Sequence, residues 1–231
     1  MRRFSLITLG AFLLSAVPAL GIPTNNTGTI VNLRIEGKDS TIYEGPIFTR
    51  GHYVETALGG SHRCDGTNLG ANPNPGPTVT SALDDASKLK RFVWDGKFYP
   101  QYEDYLVSNI AGVLQTESTY WGIYVNYRLA EVGGCQQQVK LDDEVLWAYG
   151  TFEQPPLKLS GPNVARVGRP ITLTVTNGVT GAPVAGALVD GETSDAVGKV
   201  SLTFSNGGVK AVKAKKANSI RSNGLVIVVA P

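Results

Sequence analysis

Trp121-Gly-Ile-Tyr-Val-Asn-Tyr-Arg-Leu129, then Gly133-Gly-Cys135, then Val139-Lys-Leu-Asp-Asp-Glu-Val-Leu-Trp-Ala-Tyr149, is the stretch that decides the fold. Apolar and polar residues alternate in both long runs, which is the period of a pleated strand with one buried face. The runs therefore read as paired strands around a loop, and that loop carries one of only two cysteines in the chain. The other, Cys64, lies far upstream, so the hairpin is expected to anchor a stapled domain and not a catalytic centre.

The start of the chain gives the compartment. Arg2 and Arg3 precede an apolar run from Phe4 to Val17, with small residues at Ala19 and Gly21, the pattern of a secretory signal peptide over residues 1–21. That run is shorter than the roughly 20 residues that cross a bilayer, and polar Thr24-Asn25-Asn26 follow at once. No membrane span is expected elsewhere, nor a hydrophobic anchor tail after Leu225–Ala230, so the protein is expected to be secreted and extracellular. In a secreted chain two cysteines are most simply one disulfide, Cys64–Cys135, whose closure disfavours the unfolded chain by roughly 4 kcal/mol in the chain-entropy model. The alternative is a metal site from His62, Cys64 and Asp65, which lacks a second ligand pair. Asn25-Asn26-Thr27 is a glycosylation sequon, so Asn25 is a candidate modified residue in a eukaryotic host.

Removing residues 1–21 leaves 19 basic and 19 acidic side chains, unevenly placed. Residues 22–154 hold 10 Lys and Arg against 16 Asp and Glu, and residues 155–231 hold 9 against 3. The shift coincides with Glu153-Gln154-Pro155-Pro156, where two prolines interrupt any strand ladder. Two domains, 22–154 and 155–231, are expected. The basic excess of the second suits either solvated strand faces or a polyanionic surface. Lys210, Lys213, Lys215 and Lys216 have no interleaved aromatics, so nucleic acid is not an expected partner.

In the first domain, Val31, Leu33 and Ile35 alternate with Asn32, Arg34 and Glu36, predicting a strand with one buried and one solvated face. Gly37–Ser40 turns into a second strand, Thr41–Phe48. Gly51–Pro77 is rich in Gly, Asn and Pro and reads as irregular, held by the disulfide. Ser81-Ala-Leu-Asp84 resembles a capping box opening the one clear helix, which runs through Lys90. Asp95-Gly96 predicts a tight turn between Phe92–Trp94 and Lys97–Tyr99, and Tyr102–Ile110 a further strand or helical turn. In the second domain Ile171, Leu173 and Val175 alternate with threonines, and Asn177-Gly178, Thr180-Gly181, Asp190-Gly191, Val197-Gly198 and Asn206-Gly207-Gly208 punctuate at short spacing. That rhythm predicts a sandwich. The expected fold class is mainly β: an α+β, β-grasp-like domain with one short helix, followed by an immunoglobulin-like β-sandwich.

On Trp121-Gly-x-Tyr-Val-Asn, Asp142-Asp-Glu-Val-Leu-Trp-Ala-Tyr and the Ser81–Ser87 helix, the first domain resembles the transcobalamin-like C-terminal domain over roughly Thr29–Phe152. The resemblance implies a β-grasp fold and a binding role. In that family the module caps a corrinoid held mainly by a helical barrel, and nothing in this chain could form one. Gly181-Ala-Pro-Val-Ala-Gly-Ala-Leu-Val and Asp195-Ala-Val-Gly-Lys-Val-Ser-Leu-Thr-Phe resemble immunoglobulin-like repeats of microbial surface adhesion proteins.

Catalytic chemistry finds little support. His52 and His62 fit no nucleophile elbow or zinc motif, and the pairs Asp84-Asp85, Glu103-Asp104 and Asp142-Asp143 read as helix-start or hairpin-tip residues. No enzyme, cofactor or metal is expected. Lys158 with Asn223 is the pair for an isopeptide bond, but Asp190, Glu192 and Asp195 are turn-like and leave it without a buried acid. The aromatic residues are more suggestive. Trp94, Phe98, Tyr99, Tyr102 and Tyr105 cluster, with Trp121, Tyr124 and Trp147 on neighbouring strands. Trp121 and Trp147 suit the core. Tyr99, Tyr102, Trp94 and Tyr124 are the candidate ligand-binding residues, stacking on sugar rings or on an apolar partner patch. The expected function is a secreted binding or adhesion protein recognising a cell-surface or wall polysaccharide or protein. The alternatives are a secreted hydrolase or lyase with a divergent site, and a small-molecule carrier with an apolar cavity between Gly51–Pro77 and the Trp121 hairpin.

Overall fold

A computed structural model describes residues 26–231 except Phe152. The expected signal peptide and the Asn25 sequon position lie outside the described residues. The first half contains β1 (Thr29–Glu36), β2 (Thr41–Thr49), β3 (His52–Thr56), β4 (Gly60–Cys64), helix α1 (Val79–Lys90), β5 (Trp94–Tyr99), β6 (Asp104–Ile110), β7 (Val113–Leu114), β8 (Tyr120–Val125), β9 (Arg128–Leu129) and β10 (Glu144–Gly150). The second contains β11 (Leu157–Ser160), β12 (Val164–Arg166), β13 (Ile171–Asn177), β14 (Leu188–Val189), β15 (Glu192–Thr193), β16 (Lys199–Leu202), β17 (Gly208–Val212), β18 (Ala214–Lys215) and β19 (Leu225–Ala230).

The Trp121 and Trp147 strands pair as expected. β8 and β10 are antiparallel, with Ile123 opposite Trp147 and Trp121 opposite Tyr149. β10 in turn lies parallel to β1, giving the five-stranded order β2-β1-β10-β8-β9. A helix between the second strand and the return of the chain, packed on a mixed sheet whose central pair is parallel, is the β-grasp arrangement. Val31, Leu33, Ile35, Val145 and Trp147 from the sheet meet Val79, Ala82, Leu83 and Ala86 of α1 in one core.

Several local elements differ from expectation. The helix starts earlier than Ser81-Asp84 suggests: Thr78 is the N-cap, its hydroxyl accepting from Ser81 N while the Ser81 hydroxyl accepts from Thr78 N. Asp84-Asp85 therefore lies inside the helix and not at its start. Asp95-Gly96 is a bulge within β5 and not a turn, because Gly96 fits directly against the main chain of Leu106, where a Cβ would sit 2.8 Å from the carbonyl oxygen. The true turn is Tyr99-Pro100-Gln101-Tyr102, with Tyr102 N donating to Tyr99 O. The region read as irregular contains the β3–β4 hairpin, His52 opposite Cys64. The Cys64–Cys135 disulfide is formed, which removes the His62-Cys64-Asp65 metal reading.

The second half is a β-sandwich: sheets β11-β13-β16 and β12-β19-β17, with β15-β14-β18 alongside, enclose Leu157, Leu159, Leu173, Val175, Leu202, Ile227 and Val229. Pro155-Pro156 is no free linker, since Ile220 N donates to Pro155 O, Leu157 N to Ile220 O and Gly178 N to Pro156 O.

The largest departure concerns the second face of the β-grasp sheet. Arg34 and Glu36, expected to face water, are buried, as are Leu146 and Ala148 on β10. The sandwich covers them. Tyr124, Leu146, Ala148 and Ile220 form an apolar cluster between the halves. Beside it Glu36 accepts from Arg221 Nε at 2.8 Å, from Thr41 Oγ1, and from Lys213 Nζ, which also pairs with Glu44 at 2.8 Å. Arg221 NH2 further donates to Gly37 O. At the tight Asn126-Tyr127 turn, both residues left-handed, Tyr127 swings across the seam, its hydroxyl donating to Asn223 and its ring pressed on Gly178, where a Cβ would lie 2.0 Å away. Asn223 also holds Leu159 by two side-chain to main-chain bonds, while Lys158 Nζ sits over the Tyr127 ring.

Candidate functional site

The β5–β6 hairpin presents the two exposed tyrosine candidates. Pro100 presets the backbone for the first central position of its turn, and Glu103 closes the turn in a left-handed conformation. Tyr99 and Tyr102 emerge on either side, ring centroids 6.5 Å apart and tilted by 51°. Tyr99 is half-buried with Lys97 Nζ over its ring, while Tyr102 is 61% exposed. The two rings make an angled cradle and not a flat platform.

Three segments hold that cradle in place. Asn68 donates to Glu103 O and Arg63 O, and Glu103 accepts from Leu69 N, so the 3-10 turn Asn68–Gly70 is tied to the hairpin tip. Gln136 donates to Tyr102 O. Its neighbour Cys135 is fixed by the disulfide, and Gly66 N donates to Cys135 O. The result is an open cleft of about 470 Å³ whose walls include Leu69, Tyr99, Tyr102, Leu106, Val132 and Gln136.

Asp104 lies at its base. Its oxygens accept from Tyr105 N at 2.7 Å and Cys135 N at 2.9 Å. Burial raises its pKa to about 6, the main-chain N–H bonds offsetting only part of the desolvation. Gly133 is required here, because a Cβ would sit 2.0 Å from Asp104 Oδ2. The cleft therefore joins apolar and aromatic walls to a carboxyl, a carboxamide and the Glu131 carboxylate.

The other two ligand-binding candidates do not reach this surface. Trp94 is buried, its Nε1 donating to Asp84 at 3.2 Å and its ring edge-on to Tyr105. Tyr124 is buried in the seam against Leu146 and Ile220. Tyr124 stands on a strand whose two faces are covered, and Trp94 precedes the Asp95-Gly96 bulge that shifts the register of β5, so an alternating pattern could not tell inward from outward. His62 is likewise structural, stacked on Phe98 at 3.5 Å with its Nε2 facing Gly59 O.

His52, Asp84 and Asp85 bring an imidazole and two carboxylates within 4.8 Å of one another. The trio is already satisfied. His52 Nε2 meets Asp84 Oδ2 at 2.7 Å, its Nδ1 meets Arg50 O at 2.8 Å, and Lys88 Nζ meets the same Asp84 oxygen at 2.5 Å. Both ring nitrogens face acceptors, an arrangement that favours the protonated imidazole. Burial lowers its pKa, but the bonds to Asp84 and Arg50 outweigh that and the net shift is upward. Burial raises Asp84, and its bonds to His52, Lys88 and Trp94 bring it below the ordinary value. Asp84 is engaged by both His52 and Lys88, so the cluster is an ion-paired clamp between β3 and α1.

The hairpin tip was legible through Tyr99-Pro100 and Tyr102, but the third wall was not, because Leu69 and Val132 carry no motif and are brought to the tyrosines by the disulfide and by bonds between segments distant in sequence. Residues 76–151 match the family model described as a domain of unknown function, DUF4430. Among solved structures, the crystal structure of haptocorrin in complex with Cbi is similar over 59% of this chain at 16% identity and a TM-score of 0.36. The match spans 29% of that chain, and no curated protein matches.

Proposed function

We propose that the protein is an extracellular binding module, processed after residue 21, that recognises saccharide rings on a cell surface or wall through the Tyr99–Tyr102 cleft. The observation carrying this reading is an exposed tyrosine on a braced turn beside a carboxyl and a carboxamide. Sugar recognition needs an apolar ring face for the pyranose C–H groups and nearby polar groups for the hydroxyls, and this cleft offers both. A disulfide across the cleft's support fits an oxidising compartment. The sandwich, residues 155–231, then holds the β-grasp module, residues 22–154, in a fixed orientation. No helix among the described residues is long and apolar enough to cross a membrane.

The test is sedimentation of the protein with insoluble wall polysaccharides and with intact cells, at low and high salt, for wild type, Tyr102→Ala and the Tyr99→Ala/Tyr102→Ala pair. Binding that persists in salt and drops at least tenfold in the double variant is the expected result. Loss in salt alone would move recognition to the basic residues of the second half.

A second reading is favoured by the position of the cleft, between Leu69 of the Gly51–Pro77 region and the Cys135 loop of the Trp121 hairpin, with largely apolar walls. This is where a carrier for a small apolar ligand would open. The cleft is open to solvent, which suits a surface-bound sugar better than a sequestered hydrophobe. Equilibrium binding of an uncharged apolar dye, competed by soluble oligosaccharide or unaffected by it, separates the two.

A further inference from the structure

The seam between the two halves holds a charge imbalance. Arg34, Lys213 and Arg221 lie there with Glu36 and Glu44. Lys213 contacts both carboxylates and Arg221 lies 2.8 Å from Glu36, whereas Arg34 reaches Glu36 only at 4.0 Å. Arg34 NH1 donates to a neutral acceptor, Arg221 O, at 2.8 Å. Its side chain is 7% exposed. A guanidinium has five N–H donors, so Arg34, held by one close hydrogen bond and by the Tyr127 ring 5.8 Å away, has donors to offer a further acceptor.

Space for that acceptor exists. Arg34 borders a cavity of about 260 Å³ formed by β1, β2, β10, the Tyr127 turn and the Asn223-Gly224 segment. Leu146 and the Tyr127 ring supply its apolar side-chain wall. Tyr127 and Asn223 are already bonded to each other, and Glu44 is occupied by Lys213 and by Gly224 N, so Arg34 is the donor these groups leave available. Glu144 borders the cavity from an exposed position and disfavours a second negative charge there. The volume falls just below the roughly 300–1,000 Å³ of pockets that take drug-sized ligands.

We propose that this seam cavity is a second ligand site, one that binds a small organic monocarboxylate with Arg34 as its anchor. The carboxylate accepts from the guanidinium, its short apolar tail lies on Leu146 and the edge of the Tyr127 ring, and an amino group, where present, is accommodated by Glu144. The site is separate from the tyrosine cleft and does not depend on how that cleft is used.

Nuclear magnetic resonance titration of the full mature protein tests it, with propionate, alanine and phosphate as separate probes and sodium chloride as the ionic-strength control. Saturable shifts at Arg34 Nε–H and at the Gly45, Tyr127 and Gly224 amides with propionate or alanine, unmatched by sodium chloride, are expected. Stronger response to alanine would identify an amino acid as the natural class, and equal response a plain carboxylate. Arg34→Lys is expected to weaken binding at least tenfold, while Tyr102→Ala leaves it unchanged. The wild-type shift map decides the matter by itself if Arg34→Lys does not fold. No saturable shift at these residues, shifts with phosphate alone, or full binding by a folded Arg34→Lys would each overturn the proposal.

Discussion

Asp104 shows how one buried carboxyl ties ligand surface to stability. Its oxygens accept main-chain N–H groups of Tyr105 and Cys135, so it fixes the hairpin and the cysteine loop at once. Because burial raises its pKa from 3.8 to about 6, the folded state keeps a proton that the unfolded state releases between those values. Stability therefore falls as pH rises through that window and levels off above it. The shift corresponds to about 3 kcal/mol at 1.36 kcal/mol per pH unit. In Asp104→Asn that contribution is absent. Urea unfolding of both proteins at pH 4, 5, 6 and 7 is expected to show the variant gaining on wild type by about this amount from the lowest pH to the highest. Parallel curves would mean that Asp104 is solvated in the folded protein.

Among elements, α1 is the one whose start depends on a single side chain. Thr78 is fully buried and its hydroxyl satisfies Ser81 N. Thr78→Ala is expected to cost about 1–2 kcal/mol in chemical unfolding, with Thr78→Ser recovering most of it. A fully tolerated alanine would place the helix start elsewhere. The same helix illustrates what its sequence could convey. The period of α1, of β1 and of β8 and β10 was readable because each turns one apolar stripe to the core between sheet and helix, whereas the burial of the strands' other face was not. The β3–β4 hairpin was not, since His52-Tyr-Val-Glu-Thr and Gly60-Ser-His-Arg-Cys carry only Val54 and Cys64 as fully buried apolar residues. Asp95-Gly96 misled for a different reason: a turn and a bulge both favour a small residue, and only the partner strand decides between them. In the tyrosine cleft, Pro100 marked the displayed turn, while the buried state of Trp94 and Tyr124 depended on Asp84 and Ile220, which are distant in sequence.

At the scale of the whole molecule, the acidic first half and basic second half meet, and their charges partly cancel where they meet. The composition shift across Pro155-Pro156 was visible, but Arg34 and Glu36 sat in a strand pattern that ordinarily faces water, so nothing local marked them as an interface. Glu36 is 1% exposed and accepts from Thr41, Lys213 and Arg221. Replacing it by Gln keeps its shape but takes the buried anion from Lys213 and Arg221, which keep Glu44 and Gly37 O as partners, a loss expected to cost about 1.5–3 kcal/mol. All three tryptophans, Trp94, Trp121 and Trp147, lie in the first half, so their fluorescence follows that half alone, whereas far-ultraviolet circular dichroism follows both. In wild type the two signals are expected to change together on heating, because unfolding either half exposes the Tyr124-Leu146-Ala148-Ile220 cluster. In Glu36→Gln the tryptophan transition is expected to move to lower temperature and to separate from the circular dichroism curve, as the sandwich retains its own core. Coincident, unshifted transitions in the variant would show that the apolar cluster alone joins the halves and that the ion pairs at the seam set only their register.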